Sequence, residues 1–170
     1  MNKKVINATV VKDGVITFKS KLEKSIFDTL SQHGFNPEYE PTTFVLIPSF
    51  VTNTPFYDKE TDKQFEKRKE SGDKTAKMLV KKNPNIQSIK YTPDFYFKYK
   101  NLNVYIEGKG RENDVFYIKK KLFLRLLDTF DEPSIYFEVY TKKQLLQAID
   151  IIKSYEQTVW IDEEVATRTS

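Results

Sequence analysis

The sequence predicts a single α/β domain, a mixed sheet flanked by helices, and three observations carry that reading. Short runs rich in β-branched and aromatic residues alternate with stretches whose apolar residues recur at helical spacing. Turn and cap residues punctuate the boundaries, at Asp13-Gly14, Gly34, Asn83-Pro84 and Pro133. Hydrophobic residues make up 39% and aromatic residues 14% of 170 positions, enough for a packed core in a chain of this length.

Taken in order, residues 5–11 and 15–19 read as two strands around Asp13-Gly14, a strong hairpin turn signal. Ser20-Lys21-Leu22-Glu23 has the form of a capping box and opens a helix with an apolar face of Leu22, Ile26, Phe27 and Leu30. Gly34 suits its stop, and His33 sits in its last turn, beside the helix dipole. Residues 39–50 read as one strand. From 58 to 85 the chain is polar and charged, with one or two exposed helices broken near Ser71-Gly72. Strands at 95–99 and 103–108 are joined by a short turn around Lys100-Asn101. A helix over 115–130, a buried strand over 134–140 and a last helix capped by Thr141 and Gln144 complete the pattern. The expected organisation is one domain over 1–160, interrupted by a charged insertion at about 58–88, with a flexible tail over 161–170.

Composition excludes several kinds of chemistry. With no cysteine there is no disulfide, thiolate metal site or cysteine nucleophile. A single histidine, His33, argues against a histidine-built zinc site or a Ser–His hydrolase. Any bound metal is expected to be a hard cation on carboxylate oxygens. The net charge of +4 and a pI near 9.0 permit a polyanionic partner without demanding one. Ten Lys and Arg against six Asp and Glu between 58 and 90 carry a surplus as large as that of the whole chain. This region reads either as a solvated helix pair or as a nucleic-acid-facing insertion, with Lys90 at its end. Neither a signal-peptide core nor a bilayer-spanning stretch is visible, so a cytoplasmic protein is expected.

The informative residues are Pro93-Asp94 and Glu107-Gly108-Lys109. Pro-Asp occurs once, and no other acid in the chain stands two places before a lysine. On a strand, residues two apart share a face, so Glu107 and Lys109 point the same way. If the turn centres between Lys100 and Asn101, cross-strand partners sum to 201 and Asp94 stands opposite Glu107, with Cβ atoms roughly 4.5–5.5 Å apart. Like charges that close repel unless bridged, and Mg²⁺, which takes one or two carboxylates and keeps several waters, is a natural bridge. Lys109 then serves to hold a water and to neutralise charge gathering on phosphorus. Gly108 is expected to leave its carbonyl open as a further ligand and to let DNA approach closely. The plainer alternative makes Asp94 a turn residue and Glu107–Lys109 a surface ion pair. Glu23 is either a capping glutamate bonded back to the Ser20 backbone or a fourth member of the site, orienting water or a second metal. Downstream, Arg111, Tyr117, Lys119, Lys120, Lys121 and Arg125 form a basic row suited to a phosphate backbone, or else a solvated helix face.

Pro93-Asp94 with Glu107-Gly108-Lys109, and Glu23 upstream, resembles the signature of the PD-(D/E)xK nuclease superfamily. The wider pattern, with Asp13-Gly14, Phe18 to Glu23, Tyr91 to Phe95 and Gly110, is similar to small bacteriophage endonucleases of the endonuclease I type of Holliday junction resolvase, over roughly residues 9–140. The resemblance implies a restriction-endonuclease-like αβββαβ core, Mg²⁺ (or Mn²⁺) as cofactor, and hydrolysis of DNA phosphodiesters, often by a homodimer acting on branched DNA. The insertion at 58–88 departs from that pattern. Rival expectations are a restriction, repair or transposase-type nuclease with the same site, and a nuclease-fold DNA-binding module without catalysis.

Overall fold

A computed structural model of the chain describes residues 10–74, 81, 84–110 and 114–155. The elements run β1 (Val11–Asp13), β2 (Ile16–Phe18), α1 (Lys21–Gln32), β3 (Glu38–Tyr39), β4 (Phe44–Ile47), β5 (Phe50–Val51), α2 (Lys59–Glu70), β6 (Asn85–Ile86), β7 (Ile89–Tyr91), β8 (Phe95–Tyr99), β9 (Leu102–Gly108), α3 (Asp114–Leu127), β10 (Ser134–Val139) and α4 (Lys142–Ser154). The chain is mixed α and β, and it divides into two compact units, one of residues 1–44 with 91–170 and one of 45–90. The charged stretch anticipated at 58–88 falls inside the second unit, whose ends reach back to Val45 and on to Lys90.

The first unit is built on a four-stranded sheet in the order β10-β9-β8-β3. The hairpin β8–β9 has the register the turn position predicts, with Phe95 opposite Ile106, Phe97 opposite Val104 and Tyr99 opposite Leu102. β10 runs parallel to β9, placing Glu138 beside Glu107, and β3 is antiparallel to β8. One face carries Phe95, Phe97, Leu102, Val104 and Ile106, packed with Ile26 and Leu30 of α1 and Leu145, Ile149 and Ile152 of α4. The opposite face carries Tyr105, whose ring meets Phe123 of α3 edge-on, with Phe44 tilted against Phe123. β9 is therefore buried on both sides from Leu102 to Glu107. A strand flanked by two others and covered above and below has no wet side. β10, at the edge, is mostly half-buried rather than buried as expected.

Several boundaries moved for local reasons. Asp13 pairs with Ile16, so the hairpin turn is Gly14-Val15 rather than Asp13-Gly14. Gly14 takes a positive φ of 57° at the first turn position, which glycine adopts without a Cβ penalty, and Val15 is fully exposed. The single strand expected over 39–50 is three short ones. Glu40 breaks it with a left-handed φ of 46°, and Pro41 and Pro48 supply no backbone donor to a ladder. The strand proposed over 5–9 and the tail over 161–170 lie outside the described residues.

Both capped helix starts read from the sequence are present, but only α4 has the full reciprocal capping box. Ser20 caps α1 through its hydroxyl, and Thr141 and Gln144 form a reciprocal capping box on α4. Since α4 supplies three fully buried apolar side chains, loosening its first turn is felt in the core. Thr141→Ala should cost about 1 kcal/mol, read as a fall in melting temperature of about 2–4 °C in a chain of this size.

In the second unit, β5 pairs with β6 and β4 with β7. Asp58 caps α2 by accepting from the Thr61 amide at 2.9 Å. Lys81 binds the other Asp58 oxygen at 2.9 Å, and this pair with the cap draws the carboxylate well below its usual range. α2 ends where expected, with Ser71 as its C-cap and Gly72 at a φ of 80°. Most of the stretch after Ser71-Gly72 in which a second helix was allowed, 75–80 with 82 and 83, lies outside the described residues.

Candidate active site

The site assembles where β9 ends. Because the hairpin register holds, Asp94, just before β8, and Glu107, near the end of β9, arrive together. The Gly108 amide donates to Asp94 Oδ2 at 2.8 Å. Burial, and next the charge of Glu107, push the Asp94 carboxyl up to about 8, with Glu23 adding a smaller push and the Gly108 amide and Lys109 opposing it. Burial is the larger cause, and the charge of Glu107 adds to it as expected of carboxylates brought together.

Lys109 lies on the same face as Glu107, as strand alternation requires. Its ammonium donates to Glu107 Oε1 at 2.5 Å, and the two side chains are only 16% and 7% exposed. A surface ion pair is thereby excluded. The Lys109 ammonium also stands 3.7 Å from the ring centroid of Phe116, on the first turn of α3. The second Glu107 oxygen accepts from the Tyr91 hydroxyl at 2.6 Å, and that hydroxyl lies 3.1 Å from the Tyr136 hydroxyl. Burial and the nearby Glu107 raise the Tyr91 phenol far above its ordinary range, so it remains a donor.

Glu23 is buried on α1 and fully engaged. Oε2 accepts from the Lys19 amide at 2.8 Å and the Tyr39 hydroxyl at 2.6 Å, and Oε1 accepts from the Ser20 hydroxyl at 2.9 Å. Its backbone partner is Lys19, one residue before the Ser20 amide that the capping box suggests. Of the carboxylate oxygens of Glu23, Asp94 and Glu107, only Asp94 Oδ1 makes no hydrogen bond among the described residues.

The reason for a glycine at 108 differs from the one the sequence suggested. A Cβ there would sit 2.8 Å from Ile26 Cδ1 and 3.8 Å from Leu22 Cδ2, so the missing side chain makes room for α1 rather than for DNA.

The basic row divides. Phe116, Phe123 and Leu127 form the buried side of α3, while Tyr117, Lys121 and Arg125 are exposed one turn apart. Lys119 and Lys120 are half-buried at the flanks, and the Lys120 ammonium is committed to Glu138 at 2.6 Å. Lys90 is exposed in the second unit, and Arg111 lies outside the described residues. His33 is the exposed C-cap of α1.

Sequence reading missed Tyr39, Tyr91, Tyr136, Phe116 and Glu138. The alternation of Tyr136 and Glu138 in an otherwise apolar strand was a usable signal. Which residues they would stand beside depended on a parallel register that no turn specifies.

No group of three or more metal-binding acids or histidines close enough for one ion occurs among the described residues. The donor set fits a hard dication held by two carboxylates and completed by water, the pattern common for Mg²⁺, and does not fit an all-protein cage. No helix among the described residues is long and apolar enough to cross a membrane. The chain matches no protein-family model, no curated protein and no solved structure.

Proposed function

We propose that this chain is a Mg²⁺-dependent endodeoxyribonuclease, with Asp94 and Glu107 holding the ion, Lys109 at the attacking water and Glu23 in support. The observation that carries the reading is the crowded pair of Asp94 and Glu107 at one strand end, with the Lys109 ammonium against it. The element order α1, β3, β8, β9, α3, β10, with β10 parallel to β9, is consistent with a restriction-endonuclease-like αβββαβ core. The exposed column of Tyr117, Lys121 and Arg125 and the basic second unit offer charge for a DNA backbone. The substrate in this reading is branched DNA, and the protein a phage Holliday junction resolvase acting as a homodimer in the host cytoplasm.

A bound dication would polarise a phosphoryl oxygen and lower the pKa of a coordinated water. The protein supplies the rest. Tyr91 and Lys109 fix the Glu107 carboxylate from both sides, and the Gly108 amide fixes that of Asp94 through Oδ2. Lys109 donates to the incoming water and offsets the charge growing on the phosphate. Water adds to phosphorus and gives one proton to bulk solvent, and the bond to the departing sugar oxygen breaks as that oxygen takes a proton back from solvent, leaving a phosphomonoester and a hydroxyl end. The Glu23 carboxylate, held by three donors, fixes the junction between hairpin and helix beside Asp94.

The test is cleavage of labelled four-way junction and linear duplex in Mg²⁺ and in chelator. Symmetric junction cuts that require Mg²⁺, reduced about 10²–10³-fold in Lys109→Ala, are expected. Equal cutting of linear duplex would replace the resolvase with a restriction or repair-type nuclease. DNA binding without any cleavage in Mg²⁺ or Mn²⁺ would leave only a binding module.

A further inference from the structure

A second cation, Lys19, lies within the electrostatic reach of Asp94 and Glu23, and the reaction just described makes no use of it. Lys19 joins β2 to the cap of α1. Its backbone amide is tied to Glu23 and to the Tyr39 hydroxyl, so the position of its Cα is set by the site itself. Its side chain is 67% exposed and ion-paired with Glu40. Glu40 is anchored in turn by a backbone amide that donates to the Asp94 carbonyl at 2.8 Å. It does so with a φ of 46°, a conformation that is strained for a non-glycine residue and persists only where the surroundings enforce it. Burial works against the charged Lys19 ammonium, but the hydrogen bond and charge of Glu40, with smaller shares from Asp94 and Glu23, outweigh it and raise the pKa above its ordinary value.

We infer that Lys19 is a DNA phosphate-binding residue of this site, held by Glu40 when DNA is absent and released to the backbone phosphate that enters beside Asp94. The inference rests on the nuclease reading and deepens it. An exposed ion pair is worth little, so exchanging a carboxylate for a phosphate on a flexible four-carbon stem is nearly balanced for the protein. Release of condensed counterions from the DNA then favours the exchange. Glu40 acts as a competitor for the phosphate, so removing its charge should strengthen DNA binding while removing Lys19 weakens it. Opposite signs are the distinctive mark. A merely structural pair would make both substitutions equal in effect and neither would change the dependence on salt.

The experiment is equilibrium binding of a fluorescent four-way DNA junction in EDTA, where cleavage plays no part, across a series of salt concentrations. Lys19→Gln should bind severalfold more weakly, with the slope of log K against log salt reduced by about 0.9, the share of one phosphate contact. Lys19→Arg should restore both. Glu40→Gln should bind severalfold more tightly at low salt, and this gain should vanish in the Lys19→Gln background. An unchanged salt slope in Lys19→Gln, or weaker binding by Glu40→Gln, would overturn the role of Lys19 while leaving the nuclease reading intact. Failure of the wild-type protein to bind the junction at all would remove the proposed function and the role of Lys19 with it.

Discussion

Asp94→Asn should abolish cleavage, by on the order of 10³-fold or more, and yet melt at a higher temperature than the wild type at pH 8 in EDTA. The reasoning follows from where the carboxylate is held. Burial and Glu107 lift its folded-state pKa from 3.8 to about 8, so the folded protein holds a proton there that the unfolded chain gives up. The stability this proton contributes is fully present below pH 3.8 and is lost as pH rises through about 8. Asparagine keeps an oxygen for the Gly108 amide but carries no charge to repel Glu107. The two proteins should therefore have similar melting temperatures in acid and separate progressively towards pH 8, the variant standing higher. Mg²⁺ should then raise the melting temperature of the wild type by binding the folded state alone, and leave that of the variant nearly unchanged. A variant melting below wild type at pH 8 in EDTA would show that the charges are already balanced, and the case for a bridging cation would lose its basis.

Gly108→Ala should destabilise the fold by about 1–3 kcal/mol, a fall of several degrees in a chain of this length. The added methyl lies 2.8 Å from Ile26 Cδ1, and Ile26, only 1% exposed, is hemmed in by the core between α1 and the sheet. Either the isoleucine leaves its rotamer or α1 moves off β9, and α1 carries Glu23. Ile26→Val removes the clashing carbon. Alone it should cost about 0.5–1.5 kcal/mol, but combined with Gly108→Ala it should recover much of the loss. Simple additivity of the two changes in thermal unfolding would refute the contact. Cleavage should follow stability here, because DNA does not need the space that the glycine leaves.

The legible parts of this protein were those governed by neighbours in the chain. Strand alternation put Glu107 and Lys109 on one face, and a two-residue turn at Lys100-Asn101 set the register that brings Asp94 to Glu107. Ser20 and Thr141 announced their helices because a cap is a contact three residues long. The strand expected over 39–50 failed partly for a local reason, Pro41 and Pro48, and partly because the left-handed turn at Glu40 is held by the carbonyl of Asp94, more than fifty residues away.

By sequence alone, then, the identity of the paired carboxylates, their lysine and the hairpin that aligns them was determined, since local geometry propagates along a strand without help. What only the tertiary structure decided was the surroundings of those groups. α1 fills the hollow at Gly108, Tyr91 and Phe116 fix Glu107 and Lys109, Lys120 is committed to Glu138, and Glu40 faces Lys19. Each of these depends on packing between segments distant in the chain. Periodicity says which side of an element is covered but not which residue covers it.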